Sequence, residues 1–186
     1  MGTAAKPSRV KLFCGLIYKD DRQAQRALTL LKGHFGETDL ESPVFDFSLT
    51  DYYQKEFGEG LKKRFVAFKR LIFPHDLPKI KTLTNNLEKK LSSQGRRLVN
   101  LDPGYLDLAK VVLASTKDYI HRIYLARGIY AEMTLFYRNR TFNAWEWTYP
   151  DYRKQAYIDF FNELRKHFVQ EPLMMRKGNG RHKKLL

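Results

Sequence analysis

Apolar positions in the first part of the chain predict a strand followed by a helix. Val10–Tyr18 is a short, apolar, partly β-branched run, which predicts a buried strand. After Asp20, apolar residues recur at three- and four-residue steps as far as Phe35, and Gly36 follows them. This spacing, with an acidic start and a glycine end, predicts an amphipathic helix over Asp21–Phe35.

The next segments repeat this order with a longer connection. Val44–Phe47 and Arg64–Ile72 have the composition of strands, and the apolar positions from Leu77 to Leu91 recur at helical spacing, with Pro78 in the first turn. Arg97–Leu101 predicts a further strand. Asp102-Pro103-Gly104 follows, and these three residue types are typical of turns, so a turn is predicted there.

The remaining elements are a hairpin and a final helix. Residues 106–115 fit either a helix or a strand, because they combine helical spacing with a β-branched run. Residues 120–125 and 129–137 predict a β-hairpin around Ala126-Arg127-Gly128. Thr148–Asp151 has the form of a capping box, which predicts the start of a helix whose apolar face runs to Phe168.

The order of these elements predicts an α+β fold in a single domain. Strand–helix–strand–strand–helix–strand is the connectivity of a ferredoxin-like βαββαβ core, to which the hairpin and the C-terminal helix are added. We expect a mainly antiparallel sheet with helices on one face. The 186 residues suit one domain over residues 10–170, with a disordered N-terminal segment at 1–9 and a basic, disordered tail at 171–186.

The positive charge is concentrated in two segments. The chain has 34 Lys and Arg against 20 Asp and Glu; residues 55–100 have an excess of eight positive charges, and residues 176–186 add five. Such segments attract polyanions, so nucleic-acid binding is one hypothesis. It would use the basic segment 55–97 and the tail, in particular Lys62, Lys63, Arg64, Lys69 and Arg70. The alternative is that these side chains are solvated surface charges.

Cysteine, histidine and hydropathy exclude several classes of protein. Cys14 is the only cysteine, so neither a disulfide framework nor a cysteine zinc site is expected. The five histidines lack metal-ligand spacing, and no metal site is predicted. The longest apolar run is too short to span a membrane and no leader precedes it, so we expect a cytoplasmic protein without membrane contact.

Three polar connections interrupt the apolar scaffold and contain the candidate ligand-binding residues. The segment at 115–122 offers hydroxyls, a base and cations, which are the groups that hold an oxyanion or a phosphate; a capped turn would explain it as well. The acidic and aromatic loop near residue 51 offers carboxylates for a divalent cation or for acid–base chemistry; the alternative is a helix turn with solvated acids. The polar pair near residue 100 stands at a strand end, a common position for a site, and an Asx turn explains Asp102 equally well. The candidates are Asp51, Tyr52, Glu56, Asn100, Asp102, Tyr105, Ser115, Thr116, Lys117, His121 and Arg122.

Several blocks of the sequence together resemble a known family. They are residues 11–18, 50–53, 58–62, 99–105, 114–118, 121–125, 128–132 and 147–152. The chain resembles an uncharacterised bacterial family of about this length, classed as a domain of unknown function, over roughly Val10 to Phe168. Some members of that family have the label GTP-binding protein or regulator, so the resemblance implies that GTP is a candidate ligand.

The residues themselves give this label little support. The chain has no phosphate-binding glycine loop, and Thr116-Lys117-Asp118 differs from a guanine-reading motif in the position of its Asp. The three polar connections nevertheless favour a protein that binds a nucleotide or another phosphorylated small molecule. The alternatives are a nucleic-acid-binding protein and a protein-interaction subunit without catalysis.

Overall fold

The apolar run near the start of the chain forms the central strand of a sheet. In the computed structural model, which describes residues 2–47, 59–172 and 175, β1 spans Val10–Tyr18 and every one of its residues is buried. It pairs antiparallel with β4 (Leu61–Ile72) on one side and with β5 (Val99–Leu106) on the other. Packing layers cover both faces of this strand, which explains its nearly continuous apolar sequence.

The first six predicted elements form the ferredoxin-like core. Helix α1 spans Asp21–Phe35, as predicted, and α2 spans Leu77–Lys90 after a short 3₁₀ helix. The predicted strand around residue 45 is β3 (Phe45–Phe47), and an unpredicted strand β2 (Thr38–Glu41) precedes it. Both pair antiparallel with β4, so the core has the order β2/β3, β4, β1, β5.

The second half of the chain extends the same antiparallel sheet beyond β5. β6 (Lys110–Ser115) pairs with β5, and β8 (Ile129–Arg138) pairs with β6. β7 (Arg122–Ala126) and β9 (Thr141–Ala144) both pair with β8. The fold is therefore the expected α+β class, with nine strands in one sheet within the described part of the chain.

Two segments of this half show how local chemistry sets the turns. The ambiguous residues 106–115 contain a strand, because Asp107 Oδ1 accepts hydrogen bonds from the backbone N–H groups of Ala109 and Lys110 and closes a tight turn before β6. The predicted hairpin between β7 and β8 is confirmed. Its turn residues Arg127 and Gly128 have φ angles of 58° and 71°, the left-handed conformations that a tight hairpin requires.

The third helix lies on the face of the sheet opposite to the first two. Along β1, Leu12 and Leu16 pack with α1 and α2, whereas Phe13 packs with α3 (Gln155–Gln170). The rings of Phe13 and Phe161 are 5.0 Å apart at an interplanar angle of 70°. The expectation of helices on one face therefore holds for α1 and α2, and α3 completes a second layer.

The predicted capping box at Thr148 is wrong. A 3₁₀ helix spans Pro150–Arg153, and α3 begins only at Gln155. The Thr148 hydroxyl instead donates to the Thr134 carbonyl at 2.6 Å and accepts from the Trp145 N–H at 2.8 Å. This hydroxyl joins the segment before the helix to β8, a long-range partner that local spacing does not show.

The predicted turn at Asp102-Pro103-Gly104 is also wrong. These residues lie within β5, where Cys14 pairs with Pro103 and Phe13 with Gly104. A Cβ atom at Gly104 would lie 2.5 Å from the Val112 carbonyl oxygen, so the glycine is required by close packing of two strands and not by a turn.

Candidate functional site

A cavity opens where β5 and β6 separate. The two strands pair only over residues 104–106 and 111–113. Pro103 has no N–H to donate to a neighbouring strand, and it stands directly before the first paired residue, Gly104. Beyond this point the polar N-terminal half of β5 and the C-terminal end of β6 form opposite walls of a cavity of about 450 Å³.

Charged side chains converge on this cavity from distant parts of the sequence. Among the described residues, five cationic and four acidic side chains line it: Lys63, Lys81, Lys89, Arg97 and Lys117, with Glu88, Asp102, Glu132 and Asp151. Asn85, Ser115, Thr116 and Tyr149 add neutral polar groups. Because the residues come from strands, helices and loops of both halves of the sheet, the tertiary structure alone assembles the cavity.

The wall formed by α2 and β5 is a hydrogen-bonded network around Glu88. Its Oε1 accepts from the Leu101 backbone N–H at 2.7 Å, and its Oε2 accepts from Arg97 Nη1 at 3.0 Å. Arg97 Nη1 also donates to Asn100 Oδ1 at 3.0 Å, and the Asn100 amide donates to Asp102 Oδ2 at 2.7 Å. These bonds hold the polar edge of β5 in one arrangement.

A lysine completes this wall. Lys81 is buried, and its Nζ donates to the Leu101 carbonyl at 2.9 Å and lies 3.4 Å from Asp102 Oδ1. Burial raises the pKa of Glu88, and the nearby Lys81 opposes that rise. Both acidic side chains of the wall are thus engaged with cations and donors.

The floor of the cavity is an ion pair enclosed by aromatic rings. Lys63 is 1% exposed, and its Nζ lies 2.5 Å from Asp151 Oδ2. The same Nζ is 4.3 Å from the ring centroid of Tyr152, a cation–π distance. Burial raises the pKa of the Tyr152 phenol well above its ordinary value. The floor therefore combines one internal salt bridge with a largely apolar surface.

The wall formed by β6 and β8 contains the predicted hydroxyl and cation segment. The Ser115 hydroxyl accepts from the Lys117 N–H at 3.1 Å and shapes the turn after β6. Arg122 donates from Nη1 to the Lys117 carbonyl at 3.0 Å and from Nε to Glu132 Oε2 at 2.8 Å. It also donates from Nη2 to the Tyr149 hydroxyl. Arg122 thus holds three lining residues in place from behind the wall.

The structure brings together most of the candidate residues that it describes. Five line the cavity: Asn100, Asp102, Ser115, Thr116 and Lys117. His121 and Arg122 stand behind it, with His121 Nε2 3.3 Å from Glu132 Oε2. Tyr105 lies elsewhere, packed against the core, where burial raises its pKa to about 12. Asp51, Tyr52 and Glu56 lie outside the described residues.

Sequence reasoning missed the charged residues of the floor and of α2. Lys63 stands among the buried alternate positions of β4 that include Leu61, Phe65 and Ala67. Lys81 and Glu88 stand beside the apolar stripe of α2, seven residues apart and on the same side of the helix. A charged residue at a core-facing position is the signal that could have found them.

The cations assigned to nucleic-acid binding differ in their burial and in their ion pairs. Lys63 faces the interior, which removes it from any contact with a polyanion. Lys62 pairs with Asp21 at 2.6 Å, and Arg64 pairs with Glu41. Lys69 and Arg70 are exposed near the other end of β4. The tail from residue 176 lies outside the described residues.

Metal-ligand clusters and membrane-spanning helices are two features that the described part of the chain lacks. Within residues 2–47, 59–172 and 175, no group of three or more His, Cys, Asp or Glu side chains is placed to hold a metal ion. None of the helices described there has the length and apolar character that a membrane crossing requires.

The fold and the cavity define the class: an α+β protein with a ferredoxin-like core, an extended antiparallel sheet and a charged cavity where that sheet divides. The chain belongs to a family described as a domain of unknown function, DUF4416, whose sequence pattern matches residues 8–168. That range includes every lining residue of the cavity. No curated protein and no solved structure matches the chain.

Proposed function

We propose that the cavity between β5 and β6 binds a small phosphorylated molecule. The observation that carries the proposal is the convergence of Lys81, Lys89, Arg97 and Lys117 on one cavity with the hydroxyl groups of Ser115 and Thr116. Ammonium, guanidinium and hydroxyl donors are the groups that bind phosphate oxygens in proteins. A volume of about 450 Å³ suits a metabolite or a nucleotide.

The charges of the cavity favour an anion. Its four carboxylates are all held by cations of the protein: Glu88 by Arg97, Asp102 by Lys81, Glu132 by Arg122, and Asp151 by Lys63. Including Arg122, six cationic side chains stand against these four acids. The remaining positive charge includes Lys89, which is exposed at the edge of the cavity on α2. An anionic ligand would balance it.

A thermal-shift titration tests the proposal. The ligands are GTP with and without Mg²⁺, ATP, inorganic phosphate and a short RNA, each at two salt concentrations. GTP is included because of the label attached to the resembled family. A ligand at 100 times its dissociation constant stabilises a protein by about 2.7 kcal/mol, which moves the midpoint by several degrees. We expect a shift with a phosphorylated small molecule that persists at the higher salt concentration.

Two lysines of the same helix provide matched variants. Lys89→Ala removes a lining cation, whereas Lys79→Ala removes an exposed cation of α2 outside the cavity. Losing one charge-assisted contact weakens binding by about tenfold or more. We expect this loss for Lys89→Ala and an unchanged affinity for Lys79→Ala. Equal affinities of both variants, or a shift with RNA alone that high salt abolishes, would overturn the proposal; the latter would favour nucleic-acid binding.

A further inference from the structure

Exposed apolar side chains are concentrated in β7, the edge strand of the sheet, and in the residues just before it. Between residues 119 and 125, five large apolar residues are exposed: Tyr119, Ile120, Ile123, Tyr124 and Leu125. Ile120 is 94% exposed and Ile123 is 72% exposed. Single apolar residues at a surface are common, but five of them within seven residues at a sheet edge indicate an interaction surface.

The backbone of this strand is equally open. β7 ends the strand order, so its outer edge has no strand partner within the described residues. Proteins usually protect such edges with lysine, proline or a covering segment. β7 has neither lysine nor proline. Its one charged residue, Arg122, is turned to Glu132 and Tyr149. The outer edge is therefore suited to accept another strand.

We propose that this edge pairs with the β7 edge of a second copy of the chain, antiparallel and about a two-fold axis. A pairing centred on Tyr124 places Ile123 of each copy opposite Leu125 of the other, and Arg122 opposite Ala126. Apolar residues then face each other across the strands, and no like charges are opposed. Because the same patch serves both copies, the assembly closes as a dimer.

The size and charge of the patch fit a second copy. Tyr119, Ile120, Ile123 and Tyr124 each expose more than half of their surface, and with the edge backbone beside them they would supply the centre of an interface of roughly 800 Å² per partner. The Lys, Arg, Asp and Glu residues of the patch at 119–125 are limited to Arg122, which is paired with Glu132 of β8. The patch is thus neutral although the chain has a net charge of +14. The dimer does not depend on the proposed function of the cavity.

Sedimentation velocity over a concentration series tests the dimer. We expect the wild-type protein to change from monomer to dimer as its concentration rises, and to dimerise more tightly at higher salt, which screens the repulsion between two cationic molecules. Ile123→Lys should remain monomeric where the wild type is dimeric. Leu108→Lys is the matched control, since Leu108 is exposed at 42% in the turn between β5 and β6 and should leave the dimer intact.

A cross-linking experiment tests the dimer independently in case Ile123→Lys folds poorly. Tyr124→Cys places one thiol on the two-fold axis, within disulfide distance of its symmetry mate. The native Cys14 is buried and does not compete. We expect a disulfide-linked dimer from Tyr124→Cys and none from Leu108→Cys. A wild-type chain that stays monomeric at every concentration, or that forms open polymers, would refute the two-fold dimer.

Discussion

The ammonium of Lys63 and the carboxylate of Asp151 form a buried ion pair across 88 residues of sequence, with 2.5 Å between Nζ and Oδ2. The pair joins β4 of the ferredoxin-like core to the 3₁₀ helix that precedes α3. The ion pair at the floor of the cavity thereby fixes the segment that leads into α3 against the sheet.

Removing one partner of this pair should be costly. Asp151→Ala leaves a buried ammonium without its counter-ion, and we expect a loss of about 3–5 kcal/mol in the free energy of unfolding, measured by urea denaturation. Glu37→Ala is the control, because the Lys32–Glu37 pair is largely solvent-exposed and should contribute at most about 1 kcal/mol. Similar losses in the two variants would show that Lys63 finds another partner or reaches solvent.

A methyl group at Gly104 should destabilise the junction of β5 and β6. The added Cβ would lie 2.5 Å from the Val112 carbonyl oxygen and 2.6 Å from Phe13 Cζ, so we expect Gly104→Ala to cost about 1–3 kcal/mol. Gly33→Ala is the opposite case. It lies in α1, where the added Cβ meets no atom within 4 Å beyond its chain neighbours and the helix's own backbone, and the gain in helix propensity should stabilise the protein by about 0.5–1 kcal/mol. Thermal unfolding of both variants measures the difference in sign.

Glu88 should make stability depend on pH. Burial raises its pKa in the folded state above the ordinary value of 4.5, so the folded protein binds this proton more tightly than the unfolded chain. The stability that Glu88 contributes is therefore largest below about pH 4.5 and declines as the pH rises through the folded-state pKa. Unfolding measured at several pH values for the wild type and Glu88→Gln should show the advantage of the wild type shrinking with rising pH. A constant difference would contradict this assignment.

The thiol of Cys14 should be inert in the native protein. Cys14 is 1% exposed within the central strand, and burial raises its pKa well above the ordinary value of 9.0. Reaction requires the thiolate and access to it. A chromogenic disulfide reagent should therefore label Cys14 only after addition of denaturant. The Tyr124→Cys variant, reduced first, freed of reductant and assayed at once at a concentration where it is monomeric, should add one thiol that reacts immediately under native conditions. Rapid labelling of the wild-type protein would show that β1 opens readily.

Elements whose stability depends on near neighbours could be predicted from the sequence. Helix α1 follows from Ala24, Ala27, Leu28 and Leu31 at helical spacing, because residues three and four apart share one face of a helix. The strand at β1 and the turn at Gly128 depend on equally local properties, and the fold class followed from their order. Residues 115–117 lie together at the cavity because they are adjacent in the chain.

Contacts between distant segments were decided only by the tertiary structure. Local chemistry favours a turn at Asp102-Pro103-Gly104, yet pairing with β1 keeps these residues in a strand, and close packing against Val112 requires the glycine. Lys63 looks like a surface cation until Asp151 and Tyr152 enclose it. Spacing along the chain predicts which residues share a face of one element, whereas the cavity depends on which elements come together, and that is determined by the packing of the whole sheet.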